Sequence, residues 1–137
     1  MNVTASRCRL LALLLLLLSG CCVLFPVRRD AVTLWELNDL KEKVRVLYES
    51  FTRPNVDAAA VAHIDDQWKA LAVREEAKGN CNALMISQIQ RCRDMFAAHL
   101  RDRNDSAPWS PAHHDNLIEN ISDAIDLARR TELSKDP

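Results

Sequence analysis

The chain is predicted to fold as an all-α domain, a four-helix antiparallel bundle behind an N-terminal export signal. Three observations carry this. Apolar residues recur at steps of three and four in four separate stretches, the spacing of a helix with one buried face. Beyond the leader, Gly79 and the prolines at 26, 54, 108, 111 and 137 fall only between those stretches or at an end. No strand-like alternation of useful length occurs, and no internal repeat.

The first helix is expected over about Ala31–Phe51, where Leu37, Leu40, Val44, Leu47 and Phe51 form one stripe. Pro54 ends it, because proline lacks an amide donor and disfavours helical geometry in the residue before it. The second is expected over about Asp57–Lys78, with Val61, Ile64, Trp68 and Leu71 in line. Asn55 or Asp57 suits its start and Gly79 its end. The third is expected over about Asn82–Arg103, on Met85, Ile89, Cys92, Phe96 and Leu100, with Arg101 and Arg103 at the negative end of the helix dipole. The fourth runs over about Pro111–Arg130, on Leu117, Ile121, Ala124, Ile125 and Ala128. Ser110 is a favourable N-cap, and Pro111 takes the first helical position, where proline is welcome. Short connections favour antiparallel neighbours, and a bundle covers all four stripes at once. On its stripe Trp68 should be buried.

Ahead of this domain, residues 1–9 carry Arg7 and Arg9 and no acid, and Leu10–Leu18 is an apolar run of nine. Forgiving Ser19 and Gly20 extends it to Phe25, 16 residues in all. A spanning helix needs about 20. A basic end, a short apolar core and then small residues describe an export signal.

Leu18-Ser19-Gly20-Cys21 resembles the lipobox of bacterial lipoproteins, an aliphatic residue and two small ones before a cysteine. The resemblance implies cleavage before Cys21, diacylation of its thiol (palmitate being typical) and acylation of the new amino group. Two or more acyl chains hold a protein stably at a bilayer, where one holds it marginally. The expected organisation is a signal peptide at 1–20, a lipidated tether at 21–30 and the helical domain at 31–137. Cys22 stands where an aspartate would favour inner-membrane retention, so the expected location is the outer membrane, facing the periplasm.

Two further resemblances concern the domain. Lys78-Gly79-Asn80, Gln88-Ile89, Asp94-Met95-Phe96, Pro108-Trp109-Ser110, Asn120-Ile121 and Thr131-Glu132 are similar to segments of a small uncharacterised helical lipoprotein family, which implies no activity. Gln67-Trp68-Lys69 followed by Met85-Ile86-Ser87-Gln88-Ile89 resembles the second and third helices of interferon-gamma-like cytokines. That family has six helices and a basic tail where this chain has four. It implies the alternative function, a secreted cytokine-like ligand.

The composition narrows function further. The chain has 18 basic and 19 acidic residues and a net charge of −1, without the positive footprint that nucleic acid requires. Aromatic residues make up 5% of it, too few for a base-stacking platform. His113 and His114 are adjacent and diverge by about 100° on a helix, so they do not suit one metal. Neither the Glu-x-x-His steps of a di-metal bundle nor a phosphate loop nor a nucleophile elbow is present. Neither catalysis nor a cofactor is expected, and the anticipated partners are a membrane, through Cys21, and an unidentified protein.

Cys81 and Cys92 are candidates for a disulfide, since export leads to an oxidising compartment. On one continuous helix they would lie about 16 Å apart, against the roughly 7 Å limit between bridged α-carbons. Pairing therefore requires the third helix to start late; otherwise Cys92 is a core residue and Cys81 a loop thiol. Trp109 lies between two prolines and either packs down to fasten its loop or stands out as a partner anchor. Trp35, near the tether, is either core or a contact with the lipid interface.

Overall fold

The computed structural model describes residues 27–105 and 107–136. The signal peptide, the lipobox and Cys21 lie outside these residues. Among those described there are four α-helices and no strand: α1 (Ala31–Phe51), α2 (Ala58–Ala77), α3 (Ala83–Asp105) and α4 (Pro111–Leu133), with a 3₁₀ turn at Asn80–Asn82 leading into α3. The expected first helix matches α1 at both ends, and α4 continues three residues past its expected end. Each helix packs on two neighbours, α1 and α3 both lying against α2 and α4.

Contacts between helix ends establish the direction of the chain. The start of α1 meets the end of α4 where Glu132 accepts from the Asp30 amide at 2.6 Å. The start of α4 meets the end of α1 where the Trp109 amide donates to the Phe51 carbonyl at 3.0 Å. Arg74 of α2 pairs with Glu36 of α1, so these two helices also run antiparallel. The order is up-down-up-down. The bundle has an entry pole, holding residue 30 and the ends of α2 and α4, and a far pole, holding residues 51–57 and the α3–α4 loop.

Local chemistry sets the helix ends. Asp57 caps α2 by accepting from the amides of Ala59 and Ala60, and Ser110 caps α4 by accepting from that of His113. Asp30 caps α1 through the Val32 amide. Gly79 follows α2 with φ 84° and ψ −175°, a conformation essentially confined to glycine.

The stripes meet in one core. Leu37, Leu40, Val44, Leu47 and Phe51 of α1 are buried with Ile64, Trp68 and Leu71 of α2, Met85, Ile89, Cys92 and Phe96 of α3, and Ile121, Ile125 and Ala128 of α4. Val61, Leu100, Leu117 and Ala124 are half-buried against it. The Trp68 indole is fully buried, and its N–H finds no hydrogen-bond acceptor.

The loop tryptophan proves to be core. Trp109 is 4% exposed, packs edge-on against Phe51 and Tyr48 with ring centroids 4.8 and 5.2 Å away, and donates from Nε1 to Asp102 at 2.9 Å. It closes the far pole like a lid, so it is not a partner anchor. Beside it Arg103 departs from its expected role at the helix dipole. It is buried and donates to the carbonyls of Phe51, Arg53 and Pro54, satisfying the exit from α1.

Candidate interaction surfaces

Buried polar groups concentrate at the entry pole. Glu75, at the end of α2, has no exposed surface. It accepts from Thr33 Oγ1 at 2.6 Å, Lys78 Nζ at 2.5 Å and Asn82 Nδ2 at 2.8 Å. Asn82 in turn accepts from Lys135 at 2.8 Å, and Lys135 also pairs with the buried Glu132 at 2.5 Å. Lys78 bridges to Asp30 at 2.9 Å. Burial alone would raise the Glu75 pKa, but the hydrogen bonds from Lys78, Thr33 and Asn82 outweigh it and hold the carboxyl below its ordinary value. Asp30 follows the same logic: burial raises it, the Lys78 hydrogen bond, the Val32 amide and the Lys78 charge lower it further, and it ends at about 2. The network ties the beginning of α1, the end of α2, the 3₁₀ turn and the end of α4 together. Every one of these carboxylates is occupied by partners of the same fold, so the network serves structure.

At the far pole Tyr48 and His99 lie inside the bundle, 2.8 Å apart between Oη and Nδ1. Burial pushes the phenol pKa far upward, so the hydroxyl keeps its proton, and the His99 tautomer sets the direction of the bond between them. Burial also lowers the His99 pKa, against the pull of Asp102 and with the repulsion of His113. Asp102 itself is lowered, first by its hydrogen bond from His113. No nucleophile belongs to this set, and its Tyr48–His99 half is closed to solvent. Among the described residues no three His, Cys, Asp or Glu side chains gather as metal ligands, and no helix is long and apolar enough to cross a membrane.

The cysteines do not pair as the sequence offered. Cys81 sits in the 3₁₀ turn and is disulfide-bonded, with a partner outside the described residues. Cys92 is a buried free thiol in α3. It faces the core from beyond two turns of helix, a direction Cys81 cannot reach. Burial pushes the Cys92 thiol up to about 12, with Arg91 opposing weakly, so it is a small core side chain and an inert nucleophile.

Two outer surfaces stand apart from the charged remainder. A groove between α1 and α2 encloses about 500 Å³, bounded by Val46, Leu47, Ser50, Ala60 and Ile64 among others. Leu47 and Ile64 are buried, while Val46 is exposed. Lys43 and His63 approach to 3.5 Å at one edge. The groove lies toward the far pole. The second surface is a rim of exposed apolar side chains at the entry pole that includes Trp35, 64% exposed and so outside the core. Sequence reasoning offered Trp35 as core or as a contact with the lipid interface, but it reached neither the groove nor the rest of the rim, because both depend on which faces the packing leaves uncovered. Compared with protein-family models, curated proteins and solved structures, the chain matches none.

Proposed function

We propose that the protein is an exported lipoprotein, held at the outer membrane by acyl chains on Cys21, whose helical domain binds another protein and performs no catalysis. The observation that carries the reading is the polarity of the bundle. Asp30 is fixed to Glu132 at one pole, so an anchor upstream of it leads from that pole, while the groove between α1 and α2 lies toward the other. A domain built this way presents its groove outward from an anchored surface. The groove's mixed lining, apolar floor and charged edge, suits side chains of a protein partner.

The alternative, a secreted cytokine-like ligand, shares the export signal and the helical domain. Four α-helices among the described residues, where the interferon-gamma-like family has six, favour the lipoprotein. The oxidised Cys81 fits either reading.

The intact mass of the mature protein, expressed with its own leader in a lipoprotein-processing bacterium, decides between them. Acylation adds the mass of the lipid to a chain beginning at Cys21, and Cys21→Ser abolishes both processing and membrane retention. An unmodified secreted chain, or a Cys21→Ser variant that is still processed and retained, refutes the anchor.

A further inference from the structure

Among the described residues, six of the seven large apolar side chains that stand exposed lie in the entry half of the bundle: Val32, Trp35, Val73, Leu84, Leu127 and Leu133. Every helix contributes. Val32 and Trp35 are in the first turns of α1, Leu84 is the second residue of α3, and Leu133 is the last of α4. Val73 and Leu127 lie four and six residues from the ends of their helices. At about 1.5 Å per residue, all six fall within about 9 Å of the pole. The seventh, Val46, borders the groove in the other half.

We propose that this rim rests in the interfacial layer of a lipid bilayer, so that the bundle stands on its entry pole. The inference rests on the anchored reading above and goes further, because anchoring alone does not decide posture. Arg29 is the first residue fixed to the domain, its amide donating to the Asp136 carbonyl at 2.8 Å. The eight residues from Cys21 to Arg29 span at most about 27 Å when extended, which permits both contact and stand-off. The rim favours contact. Its depth matches the roughly 5–10 Å to which amphipathic surfaces sink into the headgroup region, and tryptophan prefers that layer. A belt on all four helices fits a plane met end-on better than it fits a partner seated on one side. The attraction is apolar. Arg28, Arg29 and Arg130 are exposed at the pole, but Glu76 and Asp136 are exposed there too, which leaves an excess of one positive charge, and Lys78 and Lys135 are engaged by Asp30 and Glu132. Binding should therefore need no anionic lipid and should depend only weakly on salt.

The test uses the mature full-length protein reconstituted in phosphatidylcholine vesicles that carry brominated acyl chains. Trp68 and Trp109 are buried, so quenching that disappears in Trp35→Phe reports Trp35 alone. The expected result is quenching of Trp35 that persists in high salt and falls several-fold when Leu84 and Leu133 are both replaced by serine. These exposed positions leave the fold intact, which circular dichroism checks. Trp35 unquenched in an acylated protein overturns the proposal and leaves the anchor standing. The same holds if sedimentation shows Trp35 buried between two copies. If mass spectrometry finds no acyl group, vesicle binding by the chain alone decides: quenching upholds the rim while the anchor fails, and its absence refutes the rim as well.

Discussion

Two tryptophans separate what a stripe predicts from what packing adds. Trp68 sits on the α2 stripe and is fully buried, where its sequence position puts it. Trp109 sits in a proline-flanked loop, where the sequence leaves open whether it packs down or stands out, and it is 4% exposed and packs on Tyr48 and Phe51. Removing a buried aromatic side chain costs about 3–5 kcal/mol, a large share of the roughly 5–15 kcal/mol that holds a domain together. Trp68→Ala should lower the melting temperature sharply. Trp109→Ala should now be comparable, since it also strips a hydrogen bond from Asp102. The two differ under substitution by phenylalanine. The Trp68 N–H makes no hydrogen bond, so Trp68→Phe loses only volume, whereas Trp109→Phe loses volume and the bond to Asp102. Thermal melts of the four variants beside the parent check this. A Trp68→Ala melt within a degree or two of the parent would contradict the observed orientation of α2.

At the scale of elements, the helices were legible because each stripe is local and needs only its own periodicity. Asp57 and Ser110 were legible as caps for the same reason. What holds the helices to one another was not. Glu75 reads in sequence as one of two adjacent surface carboxylates, and only the approach of Thr33, Lys78 and Asn82 makes it a buried anion. Arg103 looks like a dipole partner until the α1 exit is folded against it. The entry-pole network also sets a pH dependence. Asp30 and Glu75 have pKa values depressed in the folded chain. Their stabilising contribution is complete above the ordinary carboxylate range and is lost as pH falls through the folded values, for Asp30 from about 3.8 to about 2. Chemical denaturation at steps from pH 6 down to about 2 should show stability dropping across that window. Glu75→Gln should lower stability at neutral pH by about 3 kcal/mol, the low end for a broken buried pair, because Lys78 keeps Asp30 and Lys135 keeps Glu132. The variant should also flatten the acid limb. An unchanged acid profile would mean that other carboxylates carry it.

For the whole molecule, the oxidation state of the chain bears on both its stability and its anchor. Spacing along the chain disfavoured a Cys81–Cys92 bridge, but it could not identify another partner, since that depends on where the incoming chain meets the bundle. Asp30 and Arg29 fix that meeting place at the entry pole, and the 3₁₀ turn with Cys81 joins the same polar network through Asn82. A bond from Cys81 back to a cysteine ahead of residue 27 closes a loop of more than 50 residues. A bridge over a loop that long stabilises by roughly 4 kcal/mol in the chain-entropy account. Reductant should therefore lower the melting temperature of the parent and leave Cys81→Ser unchanged, the variant melting near the reduced parent. Cys92 should react with thiol reagents only after unfolding, because it is buried and its thiol is pushed up to about 12. Peptide mapping without reduction then identifies the peptide joined to Cys81. A thioether to lipid and a disulfide cannot share one sulfur, so a map joining Cys81 to Cys21 would exclude lipid on that sulfur in that molecule and turn the assignment toward the secreted ligand. A map that leaves Cys21 acylated and joins Cys81 to Cys22 would fasten the tether to the entry pole next to its lipid, shortening the free reach of the anchor and bringing the apolar rim to the bilayer.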